Sequence, residues 1–345
     1  MSLPTVWMSL PAVQLSDRVV TREQTMATVE ANFRGSPDEW ARVSRLLRAV
    51  MNACGTGTRH LDTDNPMATA QYAARAVRRL VDEQRLDASE VDLVVYGSIA
   101  RGYLEPATAN EVAALSGLEQ PLCYDVLAAC AGMVIGVQDA VARLSVDDSL
   151  NTAVVATCAL DAGRLNHDIQ TAEDVAIYAA GLTVGTASTA TLVSRERRVV
   201  DGVPLPAGRV RGLFARSWPA QHGLCVVPLQ GPFTSQAAEM FRLARFIPDA
   251  CREVARRSGW SVEDVDLWAF HQASDRSLNQ IATQLGIPLA RIPAIHGEFG
   301  NCESSSAALT LRTLHDRGLV RPGMKVVLGT ASAGFMIAAV GLDWA

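Results

Sequence analysis

No two of the seven cysteines in this 345-residue chain form a Cys-x-x-Cys pair, and their number is odd. That absence excludes a regular disulfide framework and a paired-thiolate zinc site, and it fits a reducing compartment. Clustered Lys and Arg are missing as well: the net charge is −5 and no basic stripe runs along any segment, which argues against nucleic acid as a partner. There is no uninterrupted apolar run of the roughly 18 residues that a membrane span needs. The opening, MSLPTVWMSLPAVQ, has two prolines and no basic residue before its apolar part, unlike a signal peptide. The expectation is a soluble cytoplasmic protein that binds neither nucleic acid nor membrane.

What is present is ample material for burial, with 49% apolar and 19% charged residues, in a chain long enough for about two domains or half-domains. Two stretches echo each other. RLDASEVDLVVYGS (85–98) and GWSVEDVDLWAFHQAS (259–274) share an acidic turn, then Val-Asp-Leu, then an apolar strand, and Val91 aligns with Val265 at an offset of 174 residues. Downstream, LAACAGMVIGVQDAVARL answers to FGNCESSSAALTLRTL, and TAVVATC to MKVVLGTAS. Upstream, AQYAARAVRRLVDEQ and FIPDACREVARRSG both read as helices. The order helix, strand, helix, strand occurs twice, which predicts an α/β architecture of two related halves.

The segment CYDVLAACAGMVIGVQDAVARL (123–144) places Cys130 where a strand pattern closing at Val126 and Leu127 gives way to a helix pattern. Met133, Val137, Ala140, Val141 and Leu144 recur at helical spacing. A cysteine at a helix N-terminus meets unpaired N–H groups and the positive end of the helix dipole, which lower a thiol's pKa. A free cysteine among alanines also packs well as a small apolar residue, so this stretch alone leaves catalysis and packing both open. His271 follows the strand LWAF in the second half, and Asn301 precedes the helix that corresponds to the Cys130 helix. Open α/β sheets bind ligands at the carboxyl ends of their strands. Halves related by a pseudo-twofold axis would therefore bring Cys130, His271 and Asn301 to one pocket.

These motifs resemble the thiolase superfamily, and most closely its ketoacyl-ACP synthase III branch of condensing enzymes. AACAG around Cys130, HQAS from His271 and FGNCESSSAAL around Asn301 carry the resemblance, with weaker support from GTASAGF (329–335) and GTGTRH (55–60). It extends over most of the chain. It implies a five-layered αβαβα fold made of two pseudo-symmetric halves, 1–194 with the nucleophilic cysteine and 195–345 with His and Asn. A homodimer, acyl-CoA or acyl carrier protein thioesters as substrates, and no metal or redox cofactor are implied with it. So are the roles: Cys130 as the acyl-accepting nucleophile, the backbone amides of Cys130 and Ala333 as the oxyanion hole, and His271 and Asn301 as donors to the enolate of a malonyl-type thioester. Arg276 falls where the family often places a residue that docks acyl carrier protein.

The chain departs from the family in four places. Ser274 replaces the asparagine of HQAN, and VGTASTATLV (184–193) lacks the acidic residue of the family's Gly-Asp-Gly-Ala loop. Ala331 stands where condensing enzymes carry an aromatic ring associated with loss of the carboxylate. The gap from Trp40 to Gly55 reads as an inserted amphipathic helix, so Trp40 is no coenzyme A contact. Divergence of this kind suggests specialised, fatty-acid-like or polyketide biosynthesis. Three functions compete: decarboxylative Claisen condensation; acyl transfer from Cys130 to a hydroxyl, amine or thiol with His271 as base; and a non-catalytic partner subunit, against which the intact cysteine counts. Cys54, Cys123, Cys158, Cys225, Cys251 and Cys302 sit in apolar or turn contexts, and the other histidines show no ligand spacing. The segment 195–212 carries scattered basic residues and reads by default as a solvated connection between the halves, with a pantetheine-phosphate contact as the weaker option.

Overall fold

The structure is a computed structural model that describes residues 5–62, 68–159 and 162–345; the first four residues of the opening segment lie outside these. The first half comprises β1 (Trp7–Ser9), α1 (Pro37–Cys54), α2 (Thr69–Gln84), β2 (Leu93–Tyr96), α3 (Thr108–Ser116), β3 (Leu122–Asp125), α4 (Gly132–Val146), β4 (Thr152–Cys158) and β5 (Ala187–Ser194). The second comprises β6 (Ala207–Ser217), α5 (Ile247–Ser258), β7 (Leu267–Phe270), α6 (Asp275–Leu285), α7 (Ser306–Asp316), β8 (Lys325–Ser332) and β9 (Met336–Trp344). The strands hydrogen-bond in the order β7-β8-β9-β6-β1-β5-β4-β2-β3, with Ala12–Leu15 added alongside β5.

Strand register reproduces the repeat seen in the sequence. β2 pairs in parallel with β4, Leu93 opposite Ala153, and β4 runs antiparallel to β5. In the second half β7 pairs in parallel with β8, Leu267 opposite Val326, and β8 runs antiparallel to β9. The halves meet where the short β1 pairs with β5 on one side and β6 on the other.

Side chains alternate across each strand, and the alternation builds the layers. Leu93, Val95, Ala153 and Val155 of the first half face one central core with Leu267, Ala269, Val326 and Leu328 of the second. That core is filled by α4 (Met133, Val137, Ala140, Val141, Leu144) and α7 (Leu309, Leu311, Leu314). On the opposite faces, Val94, Tyr96, Val154 and Ala156 pack against α2 and α3, and Trp268, Phe270 and Val327 pack against α5 and α6. Helix, sheet, helix pair, sheet, helix is the expected five-layered αβαβα arrangement. The Ala129–Val146 segment is long and apolar enough to cross a membrane by composition, but it is the sandwiched core helix.

The inserted helix is α1. Ser36 caps it, accepting from the Glu39 N–H while Glu39 accepts from the Ser36 N–H, and Gly55 ends it in a left-handed turn. Val43, Leu47 and Met51 recur every four residues and bury one stripe against Ile169, Val175 and Leu182. Trp40 packs on Phe33 at 5.4 Å, outside the cavity described below.

Candidate active site

β3 stops at Asp125, two residues before the strand predicted from the sequence, and residues 126–128 cross to the cavity wall, with Leu127 left 66% exposed. The chain then turns sharply. Ala129 adopts a left-handed conformation (φ +46°), and Cys130 sits in the 3₁₀ turn Ala129–Ala131 that runs into α4. A strained non-glycine residue beside a nucleophile is held only where the surroundings over-determine it. Here the second half does so: Ser332 Oγ donates to the Ala128 carbonyl at 2.8 Å and Thr330 Oγ1 to the Cys130 carbonyl at 3.3 Å. Gly132 permits the approach from below, since a Cβ there would lie 2.0 Å from the Gly97 carbonyl oxygen.

His271 extends β7 by one rung, its N–H donating to the Gly329 carbonyl at 2.8 Å. Gln272, 1% exposed, ties this corner to the loop before Asn301. Its Oε1 accepts from the Ile295 and His296 N–H groups (2.7 and 3.0 Å), and its Nε2 donates to the Pro293 carbonyl. Ser274 caps α6 by accepting from the Ser277 N–H at 3.2 Å. Asn301 is fixed through its backbone, which donates to Thr183 (2.8 Å) and accepts from Gly185 (3.0 Å). Its Oδ1 accepts from the Glu303 N–H at 3.0 Å, which leaves the Nδ2 protons as the amide's donors. Gly300 (φ +70°) has no room for a side chain, because a Cβ would stand 2.5 Å from the Thr183 carbonyl oxygen.

Cys130, His271, Asn301 and Ala333 all line one cavity of about 1600 Å³, whose other walls are largely apolar. The backbone N–H groups of Ala333 and Cys130 lie against the Cys130 sulfur and favour its thiolate. Arg276 is exposed at the same cavity, its guanidinium 4.3 Å from the centre of the Phe241 ring. Sequence reasoning read Cys225, which lines the cavity, as a residue of apolar or turn context, and passed over Glu303, which lines it too. The second lay inside a quoted motif, two residues after Asn301.

The electrostatics reverse one expectation. The helix terminus was to lower the Cys130 pKa; burial instead pushes it well above the ordinary thiol value, the Glu303 and Cys225 charges add to the rise, and the two N–H bonds only oppose it. Burial, with the His296 charge, pushes His271 down to about 4. The resting pair is a neutral thiol and a neutral imidazole. Alkylation of Cys130 by iodoacetamide, followed by mass, should therefore still be rising with pH above 9 rather than levelling off near neutrality.

Comparison with known proteins finds relatives over nearly the whole chain. Residues 255–344, which contain His271, Asn301 and Ala333, match the family model "3-Oxoacyl-[acyl-carrier-protein (ACP)] synthase III C terminal". Over 333 residues the chain is 26% identical to the beta-ketoacyl-[acyl-carrier-protein] synthase III of Streptococcus suis, covering 96% of this chain and 94% of that protein. The chain is similar to the ketoacyl synthase III-like enzymes of the thiolase superfamily. It is also 26% identical over 331 residues to the acyl-CoA:acyl-CoA alkyltransferase of Xanthomonas campestris, covering 93% and 95% of the two chains. The crystal structure of 3-oxoacyl-(acyl carrier protein) synthase III from Pseudomonas aeruginosa shares the fold, with a TM-score of 0.82, 24% identity and coverage of 99% and 98%. The relatives point to an enzyme of the ketosynthase and acyltransferase kind.

Proposed function

We propose that the protein takes an acyl group from a coenzyme A or acyl carrier protein thioester onto Cys130 and condenses it with a malonyl-type thioester. The observation that carries the reading is the convergence of Cys130, His271, Asn301 and the Ala333 amide on one cavity. Sγ attacks the thioester carbon, and the oxyanion accepts from the Cys130 and Ala333 N–H groups. The donor thiol leaves, and the malonyl-type thioester enters. His271 and Asn301 Nδ2 donate to its carbonyl oxygen; CO₂ departs, the bonding pair forms an enolate, and its α-carbon attacks the acyl-Cys130 carbonyl. The β-ketoacyl thioester forms and Cys130 is freed. Two halves, 1–194 and 195–345, would each supply part of this chemistry, in a homodimer, with Arg276 on the docking path of the carrier.

His271→Ala and Asn301→Ala separate the steps. Both should still be acylated at Cys130, within about tenfold of the wild-type rate, while release of CO₂ from the malonyl-type thioester falls about 10²–10³-fold. Equal loss of both steps would contradict these roles. One observation favours a second reading. Ala331 lines the cavity where the aromatic ring would stand. In that reading the acyl group passes to a hydroxyl, amine or thiol without forming a carbon–carbon bond, and the product mass equals acceptor plus acyl group.

A further inference from the structure

His296 is a histidine outside the Cys-His-Asn set, 0% exposed, on the short helical turn His296–Phe299 that leads into Gly300 and Asn301. Each of its polar groups has a partner. Its N–H donates to Gln272 Oε1 at 3.0 Å, and its carbonyl accepts the Gly300 N–H at 2.9 Å. Nδ1 lies 3.1 Å from the Gln272 carbonyl oxygen, and Nε2 lies 2.9 Å from Thr56 Oγ1. A carbonyl can only accept, so Nδ1 carries the ring proton. Burial lowers the pKa of the ring, so at neutral pH Nε2 is bare and accepts the Thr56 O–H.

These bonds join three separate segments. Gln272 directly follows His271, and its own N–H donates to Ser306 Oγ at 2.9 Å, at the start of α7. Gly300 directly precedes Asn301, and Thr56 directly follows Gly55, which ends α1. The loop 55–58 fits closely against the His296 turn: a Cβ on Gly57 would lie 2.6 Å from the Gly297 carbonyl oxygen, and Thr58 Oγ1 donates to the Glu298 carbonyl at 3.1 Å. Packing alone would be served by an apolar side chain, without the cost of burying polar atoms. The bonded imidazole is instead a strut between the backbone beside His271 and the backbone beside Asn301. Enolate formation needs both donors on one oxygen at once, and misplacing a reacting group by about 1 Å can cost about 10²-fold. We propose that His296 is a positioning residue for the condensation step: through Gln272 and Gly300 it sets the separation of His271 and Asn301, and Thr56 holds its ring in the bonding tautomer. The proposal rests on the condensation described above.

Two amide variants separate the ring nitrogens. In His296→Asn the amide N–H stands near the place of Nδ1 and keeps the bond to the Gln272 carbonyl; in His296→Gln the longer amide reaches towards Thr56 and gives that bond up. The burst of p-nitrophenolate from p-nitrophenyl hexanoate reports acylation of Cys130, and CO₂ release from malonyl-coenzyme A reports the enolate donors. Both variants should keep the burst within about threefold of the wild type. CO₂ release should fall about 10²-fold in His296→Gln and less than about fivefold in His296→Asn. Thr56→Val should lose about tenfold in CO₂ release and Thr56→Ser should recover it, again with the burst intact. Equal loss of burst and CO₂ release, or equal CO₂ release in the two amide variants, would overturn the proposal. Nitrogen NMR shifts of isotope-labelled histidine at neutral pH, assigned by the signal missing from His296→Asn, should place the His296 proton on Nδ1. A proton on Nε2, or a charged ring, would overturn the proposal as well. Wild-type protein that shows the burst but releases no CO₂ counts against the proposed function, and the nitrogen shifts then decide the His296 contacts by themselves.

Discussion

Cys130→Ala takes up no acyl group from any thioester, and turnover falls by at least about 10⁴-fold. The substitution deletes the one sulfur that both the Ala333 and Cys130 N–H groups address, and no other thiol replaces it. Cys54 and Cys225 share the cavity, but burial, with the Asp275 charge at Cys54 and the Glu303 charge at Cys225, pushes both thiols up to about 11, and Cys158, Cys251 and Cys302 are buried in packing. Alanine fits the local pattern, since Ala128, Ala129 and Ala131 already flank the site, so the unfolding free energy should change by less than about 2 kcal/mol. Intact-protein mass and peptide mapping after incubation with acyl thioesters read the result. An adduct on Cys225 or any other residue of the variant, at the wild-type rate, would move the nucleophile elsewhere.

Gly132→Ala should be severely destabilising. Its Cβ would stand 2.0 Å from the Gly97 carbonyl oxygen and 2.5 Å from the Gly97 carbonyl carbon, and a Cβ on Gly97 would in turn meet the Gly132 oxygen at 2.4 Å. All of these are backbone atoms, so no rotamer relieves the overlap; β2 and α4 must separate. The expected cost is about 3 kcal/mol or more, and surviving folded protein should acylate slowly because Cys130 lies two residues before the displaced contact. Gly117→Ala is the control: its φ is positive (+77°), unlike that of Gly132 (−53°), but nothing lies within 4 Å of its Cβ, so only about 1 kcal/mol of backbone strain is expected. Denaturant midpoints for the two variants read the difference. Equal midpoints would show that the close approach of β2 and α4 does not matter.

Much of this was legible from the residues because the repeat is also the register. The offset that aligns Val91 with Val265 also aligns Leu93 with Leu267, and these residues hold equivalent places in the two parallel strand pairs. The same logic put His271 at a strand end and Asn301 before α7, since strand-to-helix junctions leave local signals in sequence. What escaped depends on distance across the fold. The thiol's raised pKa arises from burial under segments far away in the chain, and the local helix terminus says nothing of that desolvation. Cys225 reaches the cavity from a short strand, Cys225–Val226, remote in sequence from both junctions. Glu303 stood in plain view, but in a motif read for its asparagine, and only the cavity shows that its carboxyl shares a wall with Cys130. Ser274 was read as a shortened polar group; the structure makes it the N-cap of α6.

The most direct measurement is a single turnover. Wild-type protein acylated on Cys130 is freed of excess donor, mixed with a malonyl-type thioester, and followed by intact mass together with CO₂ release. Condensation gives one CO₂ per adduct lost and a β-ketoacyl thioester that carries the acyl group plus two carbons. An adduct that persists with no CO₂ released, or that leaves as an ester, amide or thioester of unchanged acyl mass, would contradict it.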